Sequence, residues 1–349
     1  MCFVSHRAHL LYLMVILTFS QLMNVMQGDY CFTEKGMRQS IGGIVMANEE
    51  GLKQSEENDY KATSQGEKID TPGRQFYIPS QIVDEFGEKG RDHLNKPFSA
   101  QFLLALKAGS FMTFGAVFSV LLAIGVETKG IYHLLSGLGF AAGYSMVFIS
   151  GAVLFTEINV LLPSYLFNKT GLMKTNIYKF WMSTYIGNIL GAFLVALLIQ
   201  SSGSLATSFY PELDMYLEHK MKFMDHGMKG WFQILVSGVL ANWLIGMAAF
   251  LTTAARDLTG KILGTMLPVV LFVAGNFQHS AANMGYFSMG LLASDKYTWY
   301  EYIFFNLVPA SIGNLIGGAI LVSLLFSYAY KEDIQTSLGK NRGKGGMKR

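Results

Sequence analysis

The chain has 349 residues, of which 51% are hydrophobic and only 15% charged, with a net charge of +3 and a mean hydropathy of +0.32. That composition excludes an ordinary soluble domain and points to an all-α integral membrane protein. Cys2 and Cys31 both lie outside the apolar body, which excludes a disulfide framework and a thiolate metal site, and the basic residues lack the interleaved aromatics of a nucleic-acid surface.

In chain order, residues 1–28 carry a basic start and an apolar run, the form of a signal sequence or signal anchor and hence of a secretory route. A polar extension, 29–95, is expected to be partly disordered and to end in a surface helix over 81–95. Its acidic residues (Glu49, Glu50, Glu56, Glu57, Asp59) are unlike an acid-poor plastid transit peptide, so plasma membrane and plastid envelope both stay open as destinations. The body, 96–331, holds uncharged runs at roughly 108–126, 133–156, 180–209, 231–255, 262–293 and 302–330, before a basic tail over 332–349, also expected to be disordered. One crossing takes about 20 residues. The second run continues past Glu157 to Asn168 and the fifth is longer still, so each is expected to be a helix, an irregular break and a half-helix. The breaks fall at "SGAVLFTEIN" (150–159) and "AGNFQHSAAN" (274–283), where small and polar residues gather. Irregular backbone persists at membrane depth only where protein or a water-lined cavity satisfies it. Lys169, Lys174 and Lys179, then Arg256 and Lys261, then the tail, share one side and assign it to the interior. The sequon Asn168-Lys169-Thr170 falls on that side and is expected to be unused.

The two halves of the body resemble each other. "YIGNILGA" (185–192) and "SIGNLIGG" (311–318) both read I-G-N-x-x-G; Gly151 to Asn159 matches Gly275 to Asn283 as Gly-x7-Asn; and "AGSFMTFG" (108–115) sets Thr113 opposite Asn242 in "SGVLANWL" (237–244). Gly187, Gly191, Gly313 and Gly317 are small-residue packing sites. Three spans followed by three similar ones give an inverted 3+3 repeat, because an odd number of crossings turns the second copy over. Its two broken helices then meet near the midplane, an aquaporin-like plan.

A break exposes unpaired N–H groups at the start of the next half-helix, and the macrodipole makes that end attractive to anions. His279 lies at such a start inside an otherwise charge-free span. An intramembrane ionisable group is a functional candidate, and an imidazole can share a proton with a small weak-acid anion, whose neutral form avoids most of the desolvation cost of crossing. Proton symport follows. Glu157, at the other break, is a second candidate.

The stretches "GAVLFTEIN", "SGVLANWLIG", "GNFQHSAANM" and "NLVPASIGNLIGG" together resemble the formate/nitrite transporter family, from about Gln81 to Tyr330. The resemblance implies homopentamers embedded in the lipid bilayer, each protomer with its own pore, six spans, two broken helices and a central histidine. It implies no cofactor, and cargo of small monovalent anions or their acids: formate, nitrite, lactate, hydrosulfide or bicarbonate. By resemblance His279 is the central histidine, Asn242 the pore asparagine and Thr156 the threonine of the first break. An inner constriction is expected from Phe140, Tyr144 and Phe272, and an outer one from Leu154, Phe155 and Ile245.

Three departures stand out. Gln278 replaces a glutamate before the histidine; Glu157 replaces a small residue; and His226 stands where the family has a lysine, for which Lys222 or Lys229 would substitute. The first two suggest that the acidic partner has moved between the breaks, so that Glu157 and His279 interact. A water or neutral-solute channel shares the two-half-helix plan, but its paired Asn-Pro-Ala turns are missing from the sequence. An intramembrane hydrolase would need a serine for His279; Ser280 is adjacent and badly placed, and there is no Gly-x-Ser-Gly turn.

Overall fold

The computed structural model describes residues 76–168 and 174–336; the leader, nearly all of the polar extension before its final helix, Lys169 and Thr170 of the sequon and the tail beyond 336 lie outside the described residues. The described residues belong to one compact unit, Gln75–Arg349. The helices are α1 (Pro79–Asn95), α2 (Phe98–Ala123), α3 (Lys129–Ser150), α4 (Phe155–Asn168), α5 (Lys174–Ser202), α6 (Phe209–Met221), α7 (Gly227–Ala254), α8 (Leu258–Ala274), α9 (Ser280–Ala293) and a last rod, α10 (Trp299–Ala329). Wide π-type turns interrupt α10 at Ile303–Leu307 and Gly317–Leu324. Among the described residues α2, α3, α5, the α6–α7 stretch and α10 are long and apolar enough to cross a membrane, and α8 is a shorter apolar helix.

Local chemistry sets the helix ends. Pro97 precedes the first residue of α2, where a missing N–H costs nothing. The Asp257 carboxylate accepts from Gly260 N at 2.7 Å and caps α8. The Thr298 hydroxyl and the Glu301 carboxylate cap the start of α10 reciprocally.

The repeat is built as two like pairs. α2 packs along α5, and α7 along α10. A Cβ on Gly191 would strike the Leu106 carbonyl, and one on Gly317 the Val239 carbonyl, so the two I-G-N-x-x-G motifs do bring backbones together as expected from small-residue packing. Hydrogen bonds reinforce both pairs: Thr113 Oγ1 donates to Ala192 O at 2.9 Å, and Asn242 Nδ2 to Asn314 O at 2.6 Å. The half-helices then exchange partners, α9 packing on α2 and α5 while α4 packs on α7 and α10.

α1 lies against α4 through Ile82, Val83, Phe86 and Gly90, and Ser164 Oγ donates to Val83 O at 3.0 Å. It thus begins at Pro79, close to the expected start. The far end of the body is covered by α6, whose buried stripe of Phe209, Glu212, Leu213, Tyr216, Leu217 and Lys220 recurs at helical spacing.

Candidate functional site

Two breaks frame the centre of the body. α3 ends at Gly151 in the left-handed conformation (φ 69°), and α8 is followed by Asn276, also left-handed (φ 51°). Asparagine tolerates that region better than most residues with a Cβ. The matching residues are therefore Gly151 and Asn276, not Gly151 and Gly275: the expected register is off by one, because backbone conformation and not residue type fixes the correspondence.

Each following half-helix starts with an orphan N–H, and each is satisfied by the asparagine of an I-G-N-x-x-G motif. Asn188 Oδ1 accepts from Phe155 N at 2.8 Å while its Nδ2 donates to Val153 O (3.0 Å) and Ala105 O (2.8 Å). Asn314 Oδ1 accepts from Ser280 N at 2.7 Å while its Nδ2 donates to Gln278 O (3.1 Å) and Gly238 O (2.8 Å). Both asparagines are fully buried splints that hold irregular backbone open where no water can do so. Reading the motif only for its glycines misses them; the signal available in the sequence was a strongly polar residue repeated inside two apolar spans.

His279 is fully buried at the start of α9. Its Nδ1 accepts from Ala282 N at 3.2 Å, a side-chain cap. Tyr144 Oη lies within hydrogen-bonding distance of both ring nitrogens, 3.0 Å from Nδ1 and 2.9 Å from Nε2. Phe272 packs on the same imidazole (ring centroids 5.4 Å), and Phe140 meets Phe272 edge-to-face at 5.8 Å. Phe140, Tyr144 and Phe272 therefore do gather at His279. Beyond them, Phe140 and Phe272 line a cavity of about 20 Å³ with Tyr216, Lys220, Asn276, Ala282 and Tyr286, room for about one water.

This cavity opens toward α6, which connects α5 to α7, the end opposite the Arg256–Lys261 connection. With the basic connections inside, the names of the two constrictions must be exchanged. Phe140, Tyr144 and Phe272 stand on the outer side; Leu154, Phe155 and Ile245 stand on the inner side, where α4 begins. Leu154 and Ile245 are fully buried, and the Phe155 ring packs on Tyr185 at 4.8 Å.

The other site candidates surround this axis. Asn242, fully buried, donates to Thr156 O at 3.2 Å as well as to Asn314 O, and its Oδ1 is left without a partner, as is Thr156 Oγ1. Gln278 Oε1 accepts from Asn283 Nδ2 (2.9 Å) and Asn306 Nδ2 (3.1 Å), forming an amide cluster in place of a charged pair. Ser280 Oγ is buried without a partner, and no hydrogen bond joins it to His279, so the pair is not arranged as nucleophile and base.

Glu157 lies buried in the first turn of α4, and among the described residues no hydrogen bond or ion pair joins it to His279. Lys222, His226 and Lys229 are exposed, whereas Lys220 is buried, donating to Phe277 O at 3.3 Å and lying 5.9 Å from the Tyr286 ring centroid. Its place on the apolar stripe of α6 was the readable signal.

Paired broken helices meeting around buried polar side chains, with a lysine at one mouth, define a membrane channel or transporter. The formate/nitrite transporter profile matches residues 80–328, and the chain belongs to that family. It is 30% identical over 258 residues to the uncharacterized transporter YrhG of Bacillus subtilis, covering 73% of this chain and 94% of that one. To the formate channel FocA of Escherichia coli K12 it is 28% identical over 284 residues, covering 75% and 97%. A solved pentameric formate channel with formate bound superposes with a TM-score of 0.57 at 25% identity, covering 67% of this chain and 98% of the other.

Proposed function

We propose that the chain conducts small monovalent weak acids of the formate and nitrite class, with lactate and bicarbonate as further candidates, in a proton-coupled manner through a pore centred on His279. Six crossings, two of them broken, build each pore, and five copies assemble, as the pentameric formate channel does. The observation that carries the reading is the fully buried His279 imidazole with Tyr144 Oη against its ring nitrogens, two groups able to share a proton inside an apolar throat. An anion drawn to Lys220 in the outer cavity meets aromatic walls that exclude its hydration shell. It passes them as the acid, or while sharing the donated proton, because a bare carboxylate in such surroundings costs several kcal/mol. Past the centre, Thr156 Oγ1 and Asn242 Oδ1 offer unpaired polar atoms between Leu154 and Ile245. Thr156, Asn242, Gln278 and Glu157 complete the polar path.

The test is acid-driven uptake of labelled formate, nitrite, lactate and bicarbonate into proteoliposomes by wild type and His279→Ala. Expected is flux of at least one anion that rises with the inward proton gradient and loses that dependence in the variant at equal assembly. Unchanged pH dependence in His279→Ala would overturn the reading.

A further inference from the structure

The second break is tied to α6 by hydrogen bonds running both ways. α6 ends at Met221, and a helix end leaves its last four carbonyls without intrahelical partners. Amide side chains from outside the helix meet two carbonyls of this last turn: Asn276 Nδ2 donates to His219 O at 3.0 Å, and Asn306 Nδ2 to Lys220 O at 2.8 Å. In the other direction the Lys220 ammonium donates to Phe277 O at 3.3 Å. The lysine is thus held at its main chain by α10 and at its tip by the break, and only 4% of it is exposed.

Asn306 is the more deeply engaged of the two amides. It sits fully buried in the wide π-type turn Ile303–Leu307 of α10 and uses both ends of its side chain. Its Oδ1 accepts from Asn283 Nδ2 at 2.6 Å, and its Nδ2 donates to Gln278 Oε1 at 3.1 Å as well as to Lys220 O. The first break has a counterpart of different chemistry: Asn159, which matches Asn283 in the repeat, accepts from Trp181 Nε1 of α5 at 2.7 Å. Trp181 stands seven residues before the splint Asn188 and Asn306 eight before Asn314, the wide turn accommodating the extra residue. An indole has a single N–H, which Asn159 takes up; the amide at 306 has two, and one remains for α6.

We propose that Asn306 is the positioning residue of the outer mouth: it fixes the main chain of Lys220, and so the place of the ammonium beside the outer cavity, without touching the anion. Asn276 anchors the neighbouring carbonyl and supports it. This rests on the anion-path reading above. A lysine carries a flexible stem whose ordering opposes binding, and a stem the protein already holds spares an arriving anion that cost.

The experiment uses sodium formate and the full-length protein in proteoliposomes, comparing wild type, Asn306→Ala, Lys220→Met and the double variant. Expected is that Asn306→Ala raises the half-saturating formate concentration by about fivefold, the factor one lost hydrogen bond makes, with maximal flux within about twofold of wild type. In the Lys220→Met background the same change should leave half-saturation where it is. A readout independent of transport is reductive methylation in detergent, followed residue by residue by mass spectrometry: Lys220 should react several-fold faster in Asn306→Ala, and the exposed Lys222 no faster. Should Asn306→Ala fail to assemble, Asn276→Gly takes its place, since glycine keeps the left-handed backbone there and removes only the bond to His219 O; the same changes are expected at about twofold. Unchanged half-saturation, a fall in maximal flux alone, or a rise that persists without Lys220 overturns the proposal. Absence of wild-type flux for every anion overturns the transport reading instead, and the methylation rate of Lys220 then decides the positioning: faster sustains it, unchanged overturns it.

Discussion

The two breaks solve one backbone problem twice and then diverge in chemistry. Each turns through a left-handed residue, Gly151 or Asn276, and each hands its first free N–H to an asparagine one span later, Asn188 or Asn314. At the position just before the half-helix, however, the first break has Leu154 and the second His279. The lesson is that duplication preserves what lipid makes compulsory, satisfied backbone groups, and leaves the neighbouring side chain free to differ: an aliphatic one at the first break, an imidazole at the second.

The largest effect expected of any change to this scheme is at the splints. Asn314→Ala takes the partner from Ser280 N and from Gln278 O in a dry site, at about 1–3 kcal/mol for each group that finds no substitute. Thermal unfolding of the purified protein in detergent should show a loss of about 4 kcal/mol or failure to assemble, with Asn188→Ala close behind. If either alanine variant matches wild type, the splint interpretation is wrong. Next comes steric contact: Gly191→Val forces a side chain into the Leu106 carbonyl and should cost about 3 kcal/mol, as should Gly317→Val against Val239, by the same measurement. Equal losses would sharpen the likeness of the halves; a large inequality would break it.

A smaller and more local effect is expected from Tyr144→Phe. It removes the hydroxyl beside His279 Nε2, costs about 1 kcal/mol of stability, and slows acid-driven uptake without changing which anion is preferred. Uptake assays across several anions check this, and a changed preference would assign Tyr144 a selecting role instead. The smallest effect concerns pH and the inner surface helix. His93, half-buried on α1 and stacked on Phe180, has its imidazole pushed down to about 4 by burial and by the nearby Lys96 and Lys89. The folded state disfavours the proton that the unfolded chain takes up near 6.5, so this contribution is intact above about 6.5 and is lost as pH falls toward about 4. Hydrogen exchange in α1 should accelerate over that window, and His93→Leu should flatten the response.

Much of this was legible in the sequence because membrane proteins write their constraints locally. Overlong apolar runs with Gly and Asn in the middle can only be broken helices, and the repeated I-G-N-x-x-G places the close approaches between α2 and α5 and between α7 and α10. His279 stood out as the ionisable group in a charge-free span. What escaped the sequence was partnership. An amide side chain declares that it needs hydrogen bonds without naming the partners, so Asn188 and Asn314 were passed over in favour of the glycines beside them. Where a charged group ends up depends on packing between segments far apart in the chain: Lys89 of α1 reaches Thr253 at the end of α7, and Lys220 is buried because α6 turns its stripe inward. Side was lost for a similar reason, since a residue's depth follows from which connection covers its helix.

Asn242 has a consequence of its own. Its amide grips a carbonyl of the first repeat's break, Thr156 O, and at the same time a carbonyl of its own repeat, Asn314 O, both in a fully buried site. A carrier that swings one half against the other would have to tear this clasp on every cycle. A molecule fastened this way is suited to a frame whose two halves stay put.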